Sequence, residues 1–306
     1  MKVAVTGATG FVGSRLVARL QQAGDQILVL TRDPARAERL FPTDAFSGVK
    51  ILAYQPLQSG DWQTQISGCE AVVNLAGAPI ADSRWTPERK QEIRDSRIVG
   101  TQKIVEAIAQ ATVKPEVLIN SSAIGYYGSS ETAVFDETSS AGTDFLAQVC
   151  CDWEAEAEKV TAYGTRLVIL RTGIVLGAGG ALAKMLPAFR LFAGGPLGSG
   201  QQWFSWIHLD DLVNLILQAL RQSSLEGTLN ATAPQPVKMA ELCQTLGEVL
   251  NRPSWLPVPA LALEALLGDA AKVVLEGQQV LPKRTQAEGF TFHYGSLKPA
   301  LQDLLQ

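Results

Sequence analysis

An α/β architecture is what this sequence predicts: a doubly wound parallel sheet followed by a smaller, mainly helical lobe. Three observations predict it. Short apolar runs alternate with helical patterns from residue 1 to about residue 172. A turn with three glycines follows the first of those runs. After residue 172 the texture changes to glycine- and proline-rich stretches with helical pieces between them.

The apolar runs at residues 3–6, 27–30, 51–53, 71–75, 117–120 and 167–170 are short and uninterrupted, as strands buried on both faces are. Helical patterns at 11–23, 34–40, 87–109 and 145–162 separate them. In the 87–109 segment, Thr86 suits the cap and Pro87 the first helical position, while Ile93, Ile104, Val105 and Ile108 recur at helical steps. Alternating elements of this kind pair as parallel strands with helices on both faces. The division expected is a domain over 1–172, with a return near 203–232, and a smaller lobe over 173–306. A further helix is expected over 210–221.

The first strand ends in Gly7-Ala-Thr-Gly-Phe-Val-Gly13 and a helix begins at once. One glycine permits the tight turn, one lets backbone approach a pyrophosphate, and one lets helix and strand pack closely. The free N–H groups and positive dipole end of the helix then face the phosphates. This is a Rossmann-like dinucleotide site, which places Gly7, Thr9, Gly10, Phe11, Val12 and Gly13 around a cofactor. The second strand runs into Thr31-Arg32, where an NAD site usually carries an acidic residue for the ribose hydroxyls. An arginine suits a 2′-phosphate, so the cofactor expected is NADP(H). Asp33, just before Pro34, is expected to cap the next helix.

Hydrophobic residues are 46% of the 306 and charged residues 18%, enough to bury a large core. The net charge of −4 argues against nucleic acid as the main partner. No run of about 20 uncharged apolar residues suggests a membrane span. Cys69, Cys150, Cys151 and Cys243 lack metal-ligand spacing and read as reduced thiols, and two histidines are too few for a His-built metal site. A cytoplasmic protein with no bound metal is expected, its small-molecule substrate unnamed and its oligomeric state open.

The glycine turn and Val73-Asn-Leu-Ala-Gly77 resemble those of the extended short-chain dehydrogenase/reductases. Further stretches resemble an atypical branch, the epimerase family with a distinctive C-terminal domain. They are Arg84-Trp85, Ser96-Arg97-Ile98, Ser122-Ala-Ile-Gly-Tyr-Tyr127, Trp153-Glu154, Arg171-Thr-Gly-Ile-Val-Leu-Gly177, Gly194-Gly-Pro-Leu-Gly-Ser-Gly200, Trp206-Ile-His-Leu-Asp-Asp211 and Leu281-Pro-Lys-Arg284. The resemblance implies that Leu75, Ala76, Gly77, Glu92, Arg97 and Val175 also belong to the nucleotide site, with Val175 toward the nicotinamide.

Relatives that move hydride use a tyrosine, a lysine four residues later and an upstream serine. The lysine lowers the tyrosine pKa for acid–base work. Here Leu146 and Cys150 stand at the tyrosine and lysine positions when the helix is aligned by Glu154. Ser122 with Tyr126 or Tyr127 is the substitute catalytic set that the sequence offers. His208 is a weaker candidate, in a segment that the resemblance places at the seam between lobes. Two readings stay open: an NADP(H)-dependent oxidoreductase or epimerase-like enzyme, and a non-catalytic NADP(H)-binding regulator of the division-inhibitor-like kind.

Overall fold

The computed structural model describes residues 1–305. Seven parallel strands form the central sheet: β1 (Lys2–Thr6), β2 (Gln26–Thr31), β3 (Val49–Ala53), β4 (Ala71–Asn74), β5 (Val117–Ala123), β6 (Arg166–Thr172) and β7 (Gly227–Ala231). Their order across the sheet is β7-β6-β5-β4-β1-β2-β3. Six of the strands fall where apolar runs predict them. Their ends differ by a few residues: β5 continues through Ser122 to Ala123, and β4 stops at Asn74, leaving Leu75 in a loop.

Helices cover both faces because the strand side chains alternate. Val3, Val5, Ile27, Val29, Val73 and Ile119 face α1 (Phe11–Gln22) and α6 (Leu209–Arg221). Ala4, Leu28, Leu30, Val72 and Leu118 face α3 (Pro87–Gln110) and α4 (Phe145–Glu158). The α4 segment ends at Glu158, short of the expected 162, and a 3₁₀ turn Lys159–Tyr163 takes the chain to β6. Arg15 on α1 binds Asp210 on α6 through two hydrogen bonds of 2.7 and 2.9 Å, fixing those two helices side by side.

A separate core lies beyond the sheet edge. It packs Trp206 and Phe204 against α5 (Gly180–Arg190), α7 (Met239–Leu250) and the Leu297–Leu305 helix. Buried Asp211 ties this region to α6 by accepting from the His293 and Tyr294 N–H groups at 2.9 Å each. Among the described residues, no helix is long and apolar enough to cross a membrane.

Candidate functional site

β1 leads through α1 to β2 on one side of the sheet, while β4 leads to β5 on the other. Their carboxyl ends therefore diverge and open a crevice, the place where such sheets bind ligands. The three glycines around it do different things. Gly7 has φ +65°, and a Cβ there would come within 2.8 Å of the Leu75 backbone. A Cβ on Gly13 would run into the Gly7 carbonyl and lie 2.7 Å from Ala8 Cα, so glycine is what lets α1 sit against β1. Gly10 is exposed, and a Cβ there meets only the Gly7 carbonyl, at 3.1 Å. Gly10 is also the N-cap of α1, with no side chain over the helix end and no acidic residue in the first turn. The first N–H groups of a helix have no acceptor within it.

Two neighbouring segments are fixed against this turn. Buried Thr6 donates to Asn74 Oδ1 at 2.6 Å, and its hydroxyl accepts from the Leu75 and Ala76 N–H groups at 3.2 and 3.3 Å. At the end of β2, Thr31 Oγ1 accepts from the Asp33 N–H, and Asp33 caps α2 (Pro34–Leu40) by accepting from the Arg36 N–H at 3.0 Å. Arg32 is exposed and makes no ion pair among the described residues. Arg36, which sequence reasoning missed, donates from Nη2 to the Thr9 carbonyl at 3.3 Å. Its signal was the cap itself, since Asp33-Pro34 sets Arg36 in the first turn of α2.

The remaining expected nucleotide residues are spread more widely. Gly77 lies against Arg97, whose guanidinium carbon would be 3.2 Å from a Cβ on that glycine. Glu92 is not gathered into this group: its carboxylate is largely exposed and pairs with Arg89. Arg89 also donates to the Pro79 carbonyl, so Glu92 acts on the loop through Arg89. Val175 lies in a short parallel pair, Ile174–Leu176 with Trp206–His208, and packs on the first core. Phe11 is a pin, its ring seated where a Cβ on Gly177 or Gly179 would lie within 2.9 Å. Val12 packs inward against the same core.

A cavity of about 430 Å³ opens by the carboxyl ends of β5 and β6. Ala123, Leu146, Cys150, Arg97, Thr172 and Gly173 are part of its wall, with Trp85, Phe145 and Trp203 among the aromatic residues and Lys90, Lys272, Asp144, Asp269 and Glu276 among the charged ones. The proposed catalytic set is not on this wall. Strand alternation turns Ser122 toward α4, where its hydroxyl donates to Glu154 Oε1 at 2.5 Å, and leaves Ala123 at the cavity. Tyr127 is buried and donates to Asn230 Oδ1 at 2.7 Å while accepting from Arg171 at 3.1 Å. Burial pushes its hydroxyl up to about 12 even though Arg171 opposes the shift. Tyr126 lies under the Arg171 guanidinium, 3.3 Å from ring centroid to guanidinium carbon. Arg171 completes the cluster with two hydrogen bonds to Glu154, at 2.9 and 2.7 Å. Burial works against its charge, but Glu154 and Tyr127 hold it above the ordinary guanidinium value. Ser122, Tyr126 and Tyr127, expected as the catalytic set, thus join β5, β6, β7 and α4 in one polar cluster beside the cavity rather than lining it.

His208 is also away from the cavity. Its Nδ1 accepts from the Asp210 N–H at the start of α6, its Nε2 faces Asp303 at 3.3 Å, and burial holds its pKa below the usual histidine value. Among the described residues, no group of three or more His, Cys, Asp or Glu side chains is placed to hold a metal.

Cys150 does touch the cavity, and burial, reinforced by Glu154, pushes its thiol up to about 12. At pH 7.5 a thiol of that kind is ionised in roughly one molecule in 10⁴ or fewer. Labelling of the folded protein with a maleimide should therefore be slow at Cys150, by about a thousandfold against a free thiol. Mass spectrometry that found Cys150 labelled within seconds at neutral pH would contradict this placement.

The model of the NAD dependent epimerase/dehydratase family matches residues 3–231. The chain belongs to that family. A second model, a domain of unknown function called DUF1731, matches residues 258–304. Relatives match over nearly the whole chain. The epimerase family protein SDR39U1 homolog, chloroplastic, of Arabidopsis thaliana is 54% identical over all of this chain and 87% of its own. An epimerase family protein of Mycobacterium bovis is 41% identical over 98% of this chain and 96% of its own. Among solved structures, human epimerase family protein SDR39U1 (isoform 2) with NADPH has a TM-score of 0.86 and 35% identity, covering 99% of each chain. A UDP-glucuronic acid 4-epimerase from Bacillus cereus in complex with NAD shares the fold at 18% identity and a TM-score of 0.79.

Proposed function

We propose that this family member binds NADP(H) in the crevice and a small organic ligand in the adjoining cavity, and acts as a reductase-type enzyme rather than an epimerase. The residues present suit the nucleotide. The open face of Gly10 and the uncapped start of α1 suit a pyrophosphate, and Arg32, exposed and without an ion pair among the described residues just after β2, suits a 2′-phosphate, while Arg36 reaches the glycine turn at Thr9. The NADPH in the human SDR39U1 structure supports the same assignment. When bound, NADPH supplies a hydride.

The observation that carries the choice of reaction is the part of the cavity wall formed by β5 and α4. Ala123, Leu146 and Cys150 offer no group that exchanges a proton near neutral pH. Taking the proton from a sugar hydroxyl, which epimerisation through a ketone requires, has no side-chain base at these three positions, and of the carboxylates around the cavity Asp144 is committed to capping α4 and Asp269 to Lys90. Reduction of an activated ligand, with the proton drawn from water, asks less of these residues. The same wall also favours the second reading, a non-catalytic NADP(H)-dependent sensor. Incubating the protein with NADPH and a panel of carbonyl and conjugated compounds separates the two. Nucleotide oxidation above the protein-free rate supports the enzyme, and ligand binding with no oxidation supports the sensor.

The cofactor assignment has its own test. Wild type should bind NADPH more tightly than NADH, and Arg32→Ala should weaken NADPH binding by about tenfold or more, the loss of a charge-assisted pair of about 1.5–3 kcal/mol. Equal affinities of wild type for the two nucleotides would remove the 2′-phosphate from this site.

A further inference from the structure

We propose that a second copy of this chain docks on an apolar surface of the C-terminal lobe, forming a twofold dimer across the helix α8 (Ala260–Leu267) and the strip of chain beside it.

Apart from Glu264, α8 consists of Ala and Leu, yet none of its residues is buried. A helix that is apolar all round is ordinarily enclosed. This one is held near its two ends. The Val258 N–H just before it donates to the Pro196 carbonyl at 2.9 Å, and Arg84 donates to the Ala265 and Leu266 carbonyls at its far end. The strip continues the surface. Residues 252–258 run alongside 192–198, joined by hydrogen bonds from the Leu256 N–H to Gly194 and from the Gly198 N–H to Val258, at 3.1 and 2.9 Å. The most exposed large apolar side chains of the described residues, Leu261, Leu191, Trp255 and Leu266, at 79, 77, 74 and 68%, all belong to these adjoining segments. Single exposed apolar residues are normal on a monomer, whereas a cluster of this kind marks a contact surface.

Phe192 shows that the exposure is built into the backbone. At the end of α5 the Phe192 N–H donates to the Phe189 carbonyl at 3.0 Å and the Ala193 N–H to the Ala188 carbonyl at 2.9 Å. That closure asks for a left-handed residue, ordinarily glycine. Phe192 takes the position at φ +62°, a strained conformation for an aromatic residue, and still leaves its side chain mostly in solvent. The Arg252 guanidinium carbon lies 4.5 Å from its ring centroid, which sets that cation within the surface.

Charge selects the occupant. Among the described residues neither Arg252 nor Glu264 has an ion pair, so the surface carries a lone guanidinium on the strip and a lone carboxylate on the helix. A twofold axis that lays α8 of each copy across the strip of the other brings each Glu264 to an Arg252 and covers the apolar side chains between them. A bilayer would accept the leucines and Trp255 but would leave Glu264 facing lipid without a cation.

The full chain is examined by sedimentation over a concentration series. Wild type should be a dimer at tens of micromolar and dissociate on dilution. Trp255→Ser with Leu261→Lys should leave it monomeric throughout that range. Phe192→Gly, which suits the turn better, should weaken the dimer by about tenfold, while its monomer should melt no lower than that of wild type. Glu264→Arg alone and Arg252→Glu alone should each weaken the dimer by about tenfold, and the two together should recover it, because the pair re-forms between copies with its signs exchanged. Circular dichroism should show every variant folded. A monomeric wild type overturns the proposal, as does a dimer that survives Trp255→Ser with Leu261→Lys or a double charge variant no tighter than the single ones. A monomeric wild type that co-sediments with phosphatidylglycerol vesicles would give this surface to a bilayer instead.

Discussion

Arg171→Ala is expected to destabilise the protein by about 3–5 kcal/mol, the range for removing one partner of a buried ion pair. Arg171 and Glu154 are both almost fully buried, with side chains only 6% and 9% exposed. Removing the guanidinium leaves a carboxylate inside the protein with only the Ser122 hydroxyl donating to it, and strips the Tyr127 oxygen of its donor. Chemical denaturation at neutral pH reads the effect as a fall in the midpoint. The paired replacement Arg171→Met with Glu154→Leu should recover a large part of the loss, because an apolar pair of similar volume leaves no charge behind. Tyr127→Phe should cost less, about 1–3 kcal/mol, by leaving Asn230 without its donor. A loss below about 1 kcal/mol for Arg171→Ala would mean that this cluster is not what joins β5, β6 and α4.

Gly10→Val should weaken NADPH binding by about a hundredfold or more, which corresponds to about 2.7 kcal/mol, while leaving the protein folded. The backbone at Gly10 is extended, with φ −83° and ψ 178°, a conformation that valine adopts freely. The added side chain would project over the start of α1, where a pyrophosphate is proposed to lie. The contrasting variant is Gly13→Ala. There even a methyl group meets the Gly7 carbonyl and Ala8, so the loss should appear first in stability. Differential scanning calorimetry and nucleotide titration of both variants give a two-way comparison. Normal NADPH binding by folded Gly10→Val would move the phosphates away from this turn.

Much of the fold was legible because it depends on local patterns. Short apolar runs at regular intervals specify buried parallel strands, and Asp33-Pro34 and Thr86-Pro87 mark helix starts that the structure keeps. The glycine turn was legible for the same reason. Gly7 and Gly13 are required by backbone approach within a few residues of themselves, a constraint that spacing alone conveys.

The site was only partly legible. Hydroxyls near the end of β5 suggested Ser122, Tyr126 and Tyr127, but whether such a group faces the ligand depends on strand phase and on what packs across from it. A one-residue step along β5 exchanges Ser122 for Ala123 at the cavity. The partners that commit Ser122 and Tyr127 lie 32 and 103 residues away in the chain. Arg36 was missed because its contact with Thr9 crosses from α2 to the glycine turn.

By itself, then, the sequence determined the alternating elements, the parallel sheet and the glycine turn, since each follows from periodicity or from backbone constraints acting over a few residues. Tertiary structure alone decided which polar groups face ligand and which face one another. It paired Arg171 with Glu154 inside the protein and left Arg97 on the cavity wall without a carboxylate. Two arginines of the same chain differ in this way because a buried charge takes its character from the groups the fold brings within a few ångströms of it.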